Sequence, residues 1–283
     1  MLWMAASGML FTILNTMLKR LSQDLDPWLV GFLRYLMGAV VILLPALRLG
    51  PAALWPKAPK LQFARGLLHA GGIMLWFAAL PMVTLPELTA ISFSGPIFVC
   101  LGAVAFLGER MTGARWAAVL AGFAGVLLVV LPFSGGGFSG VSPGMLLMLC
   151  SAPVFAGSFL VAKVLTRHDR VELMVLWQHL WTATLLAPFA LALWSPPSAS
   201  HWGLFVACGV LGAGGHYCMT RSFRAADLSA VQSVKFLELL WASLLGFAVF
   251  GDLPTGAAML GGLVILASTL WLARRESRAV AAA

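Results

Sequence analysis

Residues 93–114 read FSGPIFVCLGAVAFLGERMTGA, and 143 residues further on, residues 236–257 read FLELLWASLLGFAVFGDLPTGA. Slid together, they bring Phe93 onto Phe236, Gly108 onto Gly251, Glu109 onto the equally acidic Asp252, and Thr112-Gly113-Ala114 onto Thr255-Gly256-Ala257. The register runs without a gap from about residue 61 to 129, laying Ala70-Gly71-Gly72 on Ala213-Gly214-Gly215. A shift of 144 or 145 carries it back through Lys19 onto Lys163 and Arg34 onto His179. Apolar sequence often matches itself by chance, but not with a gapless glycine pattern across three apolar windows. The chain is therefore read as two copies, residues 1–135 and 139–275, followed by a cytoplasmic tail, 276–283.

The surrounding composition fixes the medium. Of 283 residues, 61% are apolar and 10% are charged, whereas a soluble domain carries about 25% charge. So few charges cannot cover a water-exposed surface, which excludes an ordinary soluble enzyme. Apolar windows recur at approximately 2–18, 28–47, 61–80, 85–106, 114–131, 144–164, 172–193, 202–220, 228–250 and 256–272. Each approaches the ~20 residues that cross ~30 Å of hydrocarbon. The fold class expected is an all-α polytopic membrane protein, with ten transmembrane helices as two inverted five-helix repeats around a central cavity. The inversion follows from counting: five is odd, so the second copy enters the bilayer from the opposite side. Two exchanging inverted copies are the architecture of alternating access.

Charge sets the sidedness. With the N-terminus inside, the inner connections hold 14 Lys and Arg residues, among them Arg48, Arg65, Arg110, Arg167, Arg224 and Arg275, and the outer ones hold Lys19 and Arg20. This asymmetry places both termini in the cytoplasm and the chain in the inner (plasma) membrane. The outer loops at 132–143 and 195–200 are built from Ser, Gly and Pro, as uncharged turns require. The first window has no preceding basic residues and no cleavage site, and is read as a retained span. The net charge of +8 is scattered singly, so no nucleic-acid partner is expected. Cys100, Cys150, Cys208 and Cys218 lie in apolar windows without CxxC spacing or a His at ligand distance, so neither metal nor cofactor is expected. The partners expected are the lipid bilayer and a small-molecule substrate, with either a coupling proton or no coupling ion.

Gly95-Pro96-Ile97-Phe98 followed by Gly108-Glu109-Arg110, and Glu238-Leu239-Leu240-Trp241 followed by Gly251-Asp252, stand once in each copy at the repeat spacing. Together with the ten spans they resemble the EamA family of the drug/metabolite transporter superfamily, over nearly the whole chain. Members usually carry Pro in the second copy where this chain has Leu239. The resemblance implies a secondary transporter of small metabolites. Its members include exporters of aromatic amino acids (the YddG type, the nearest kin expected), exporters of other amino acids, and some importers.

A charge at mid-membrane costs about 2.5 to 3.5 kcal/mol on insertion scales, so each such residue should face a cavity or a partner. Arg34, His69, Glu87, Lys235 and Glu238 qualify. Lys235 and Glu238 are three apart on one helix face. One reading makes them a mutual ion pair; the other inserts a zwitterion between them, carboxylate on Lys235 and ammonium on Glu238. Span 4 aligns Glu87, Ser94 and Phe98 on one face, and Pro96 should kink it by removing the bond to the carbonyl of Ser92. Span 9 presents Gln232 and Lys235 on a similar face, so spans 4 and 9 are expected to form opposite walls of the cavity. Gly71-Gly72 and Gly214-Gly215 admit close helix packing. Beside them, Trp76, His216 and Tyr217, with Trp241 deeper in span 9, offer aromatic faces for a ring or a cation. Arg34 and His179 occupy matching positions in spans 2 and 7; Arg34 is read as pairing with Glu87 or with helix-end carbonyls, and proton coupling through His179 is the less favoured alternative.

The function expected is a secondary transporter working by alternating access. No P-loop appears, and no HExxH, GxSxG or paired-carboxylate motif, so no catalytic residue is assigned and a membrane-embedded enzyme is the less favoured class. One cation, one or two anions and several aromatics suit a neutral zwitterion, hence an exporter of aromatic or other neutral amino acids. The alternative is an importer of a nucleoside-like or cofactor-like metabolite.

Overall fold

Apolar windows bounded by Pro, Ser, Asp and Gly become helices with defined ends. The computed structural model describes residues 1–48, 50, 54–79, 82, 91–130, 142–250 and 256–281. Its helices are α1 (Leu2–Asp24), α2 (Pro27–Leu47), α3 (Pro59–Ala79), α4 (Gly95–Leu107), α5 (Gly113–Val130), α6 (Pro143–Leu165), α7 (Val171–Ala192), α8 (Ala199–Ala225), α9 (Leu228–Lys235), α10 (Leu237–Phe250) and α11 (Gly256–Ala281). Asp26 caps α2 by accepting from the Trp28 amide at 2.9 Å, with Pro27 opening the helix. Ser142 does the same for α6, ahead of Pro143. Gly108 ends α4 at φ +67°, a conformation that favours glycine.

α9 and α10 are halves of one span, broken at Phe236, where the Leu239 amide turns back to the Phe236 carbonyl at 3.1 Å. The first copy turns at the matching place: the Ser94 amide donates to Ile91 O at 3.0 Å, just before α4. Pro96 gives the first copy a reason to break there; Leu239 gives none, and the second copy breaks regardless. The common element is phenylalanine. Phe93 and Phe236 stack across the two copies with centroids 5.8 Å apart, and Gly122 is bare where a Cβ would collide with the Phe236 ring. Spans 4 and 9 thus touch at their breaks, where the sequence reading set them as opposite walls.

The packing maps onto itself when the copies are exchanged. α3 lies on α6 as α1 lies on α8; α2 pairs with α7 and α5 with α11; α2 on α8 answers α3 on α7. Single glycines set the spacing. A Cβ on Gly72 would stand 2.8 Å from the Phe155 ring, and one on Gly215 would stand 2.9 Å from Phe11. Beside an apolar core, polar side chains are buried and large apolar ones face outward. Arg65, Gln178, His179 and Thr220 are almost wholly buried while Val206, Val210 and Leu263 are exposed, which suits a hydrocarbon solvent. The chain is an all-helical polytopic membrane protein.

Candidate functional site

Buried polar groups gather where the copies meet. Tyr35 on α2 shares a 2.8 Å hydrogen bond with His69 Nε2 on α3. The His69 ring lies 5.3 Å from that of His216 on α8, which lies 5.0 Å from that of His179 on α7. The last two each direct Nδ1 at a carbonyl one turn back, Gly212 O at 2.9 Å and Val175 O at 2.8 Å. A carbonyl only accepts, so Nδ1 carries the hydrogen and, in the neutral ring, Nε2 is left as an acceptor. Glycine makes room here too: a Cβ on Gly38 would collide with the His179 ring. Arg34 lies over the Tyr35 ring at 4.4 Å, its Nε without a hydrogen-bond partner. Arg65 of the first copy crosses into the second, donating to Met174 O at 2.9 Å, to Gln178 Oε1, and to Thr220 Oγ1 at 3.4 Å. Phe11 and Phe155, repeat mates, flank the cluster at 4.9 Å from His216 and 5.5 Å from His69.

The broken span supplies a second group. Lys235 Nζ, at the end of α9, stands 5.2 Å from the centre of the Phe159 ring on α6. Among the described residues Lys235 and Glu238 form no ion pair with each other within 4 Å, against the first of the two sequence readings. Gly8 of α1 runs alongside: a Cβ there would stand 3.6 Å from Cβ of Glu238 and 3.7 Å from Cδ1 of Trp241. The indole Nε1 of Trp241 is buried without a hydrogen-bond partner, and so is Oε1 of Gln232, whose amide nitrogen donates to Leu228 O at 3.4 Å. Phe98 is half-buried against the apolar cluster that contains Met4, Val99 and Phe159.

The other sequence candidates fall elsewhere. Ser94 is turned onto its own Ile91 carbonyl at 2.6 Å. Trp76 touches Phe77 at 5.2 Å, and Tyr217 donates to Glu172 at 3.3 Å beside Trp3 and Arg221; among the described residues no hydrogen bond or ring contact joins either to Lys235 or Glu238. Glu87 lies outside the described residues, so the expected Arg34–Glu87 pair does too. Sequence reasoning missed Tyr35, Phe155, Phe159 and Gln178, and it counted Arg65 as an inner-loop charge. The one signal available for Arg65 was its position inside the 61–80 window, on a helix that begins at Pro59.

Comparison with known proteins fits this geometry. A riboflavin transporter of Rhizobium johnstonii is 34% identical, the alignment covering 98% of this chain and 91% of that protein. An S-adenosylmethionine uptake transporter of Rickettsia prowazekii is 24% identical over 98% and 93%, and a pseudopaline exporter of Pseudomonas aeruginosa is 27% identical over 94% and 93%. A solved crystal structure superposes with a TM-score of 0.84 at 22% identity, covering 99% of this chain and 97% of its own, which speaks to the fold alone. These names do not support the YddG-type amino-acid exporter as nearest kin; a riboflavin transporter and an S-adenosylmethionine uptake transporter stand among them. Residues 1–131 and 142–274 each match the EamA-like transporter family, and the chain is a member of that family.

Proposed function

We propose that this transporter takes up a cofactor-like metabolite with a heteroaromatic ring, by alternating access between two inverted copies. The observation that carries the reading is the cluster at the break of span 9: a cation, a carboxylate and an indole N–H, of Lys235, Glu238 and Trp241, none partnered by the others. Apolar rings lie within reach, Phe159 under Lys235 and Phe98 in the same cluster. Such a set binds a ring by stacking and fixes its polar edge by hydrogen bonds. Gln232, with its free Oε1, extends the polar wall, and His216 lines the adjoining seam. Ser94 sits at the matching turn of span 4; Glu87, Trp76 and Tyr217 are kept as further candidates from the sequence. The names of the riboflavin and S-adenosylmethionine relatives support a cofactor-like solute over an amino acid, and that of the second supports uptake.

Inner connections rich in Arg and Lys support cytoplasmic termini, and the substrate moves with a coupling proton or without a coupling ion. Vesicles reconstituted with the protein and given labelled riboflavin, S-adenosylmethionine or phenylalanine test the substrate class. Saturable uptake of one of the first two is expected. Transport of phenylalanine alone would restore the amino-acid reading, which the spacing of Lys235 and Glu238 suits.

A further inference from the structure

Where α4, α6 and α8 end and α9 begins, a cavity of about 830 Å³ opens among the helix ends. Its walls carry Arg110, Arg115, Lys163, Arg167 and Arg224 against two carboxylates. Both carboxylates are engaged. Glu109 accepts from the Leu228 amide at 2.7 Å, the Ser229 amide at 2.9 Å and the Ser229 hydroxyl at 2.7 Å; Asp227 holds Arg115 at 3.0 Å. Lys163 donates to Phe223 O and Ala226 O at 2.7 and 2.6 Å. Arg110, Arg167 and Arg224 are exposed and have no ion-pair partner among the described residues. Three guanidinium groups, whose forks match phosphate oxygens, therefore border one basin without a counter-ion.

A second cavity of about 760 Å³ shares Glu109 and Arg110 with the first. It continues over the flank of α4 and α5, walled by Leu101, Val104, Ala105, Met111 and Trp116. Leu101 and Val104 are 49% and 43% exposed, so this wall faces lipid. The enrichment of arginine in inner loops explains the charges; it does not require a concave basin that runs over one shared arginine into an apolar groove. We propose that the two cavities together seat one anionic phospholipid, its phosphodiester among Arg110, Arg167 and Arg224 and an acyl chain in the groove. The lipid would tie α4 and α5 of the first copy to the ends of α6 and α8 in the second.

Native mass spectrometry of the purified full chain tests this with dioleoylphosphatidylglycerol, dioleoylphosphatidylcholine and inorganic phosphate. Phosphatidylglycerol should be retained about tenfold over phosphatidylcholine. Arg110→Gln and Arg224→Gln should each lower that retention about fivefold, the share of one arginine near an anionic lipid surface, and leave phosphatidylcholine unchanged. Val104→Trp, which fills the groove, should weaken phosphatidylglycerol as well. Equal retention of the two lipids, or an unchanged preference in the arginine variants, overturns the site. Displacement of the lipid by equimolar inorganic phosphate, or full retention in Val104→Trp, overturns the lipid and leaves a free-anion basin. An unchanged thermal midpoint in detergent shows that each variant is folded, and none of these outcomes bears on the transport reading.

Discussion

Single side chains separate the groups that hold the seam from those left to meet a substrate. Arg65 is 1% exposed and holds three acceptors on α7 and α8. Arg65→Leu takes the donor from the buried Gln178 Oε1 and Thr220 Oγ1, at about 1 to 3 kcal/mol for each acceptor left unpaired where no water enters. The melting midpoint in detergent should fall by several degrees, and a midpoint at the wild-type value would show that the bridge is idle. Lys235 and Glu238 behave in the opposite way. No ion pair within 4 Å joins them, and Lys235→Ala and Glu238→Ala should abolish transport while the protein still inserts; wild-type rates at equal expression would remove both from the site. The sequence made this pair legible through its spacing and depth. It could not make Arg65 legible, because a charge near the start of an apolar window reads the same whether it reaches loop water or turns inward to three acceptors from the other copy.

At the scale of the helix, the duplication in sequence becomes paired contacts, and the glycine doublets divide their labour. Gly72 and Gly215 face phenylalanine rings closely enough that a Cβ must displace them, while a Cβ on Gly71 would meet Val154 at 3.7 Å and one on Gly214 would meet Leu10 at 3.5 Å, ordinary contact distances. Gly72→Val and Gly215→Val should each cost about 1 to 3 kcal/mol by overpacking, and Gly71→Ala and Gly214→Ala should be tolerated; similar thermal shifts in all four would contradict this assignment. Glu109 shows how a motif becomes a junction. Gly108 turns the chain at positive φ, the Glu109 amide returns to Ala103 O at 3.1 Å, and the carboxylate lands on the first amides of α9. Glu109→Gln should lower stability by about 1 kcal/mol, the usual worth of a helix cap, read as a shifted melt. The ten windows and the break near Pro96 were legible because apolar runs and proline act locally. The break at Phe236 was not, since it depends on a ring stacked on its mate from the other copy.

For the whole molecule, the exchange-symmetric packing and the double family match both suit two copies that rock about a shared seam. That seam is built from polar groups of both copies: Tyr35, His69 and Arg65 from the first, Gln178, His179, His216 and Thr220 from the second. Inner and outer openings of one central site would then alternate. Cysteine accessibility measures this most directly. The four native cysteines are replaced by alanine, Gly8→Cys is introduced beside Glu238 and Trp241, and membrane-impermeant thiol reagents are applied to right-side-out and to inside-out vesicles. Modification from either face, slowed in both cases by riboflavin or S-adenosylmethionine, whichever is transported, is the outcome expected of a site that opens to each side in turn. Modification from one face only, or from neither, would contradict it.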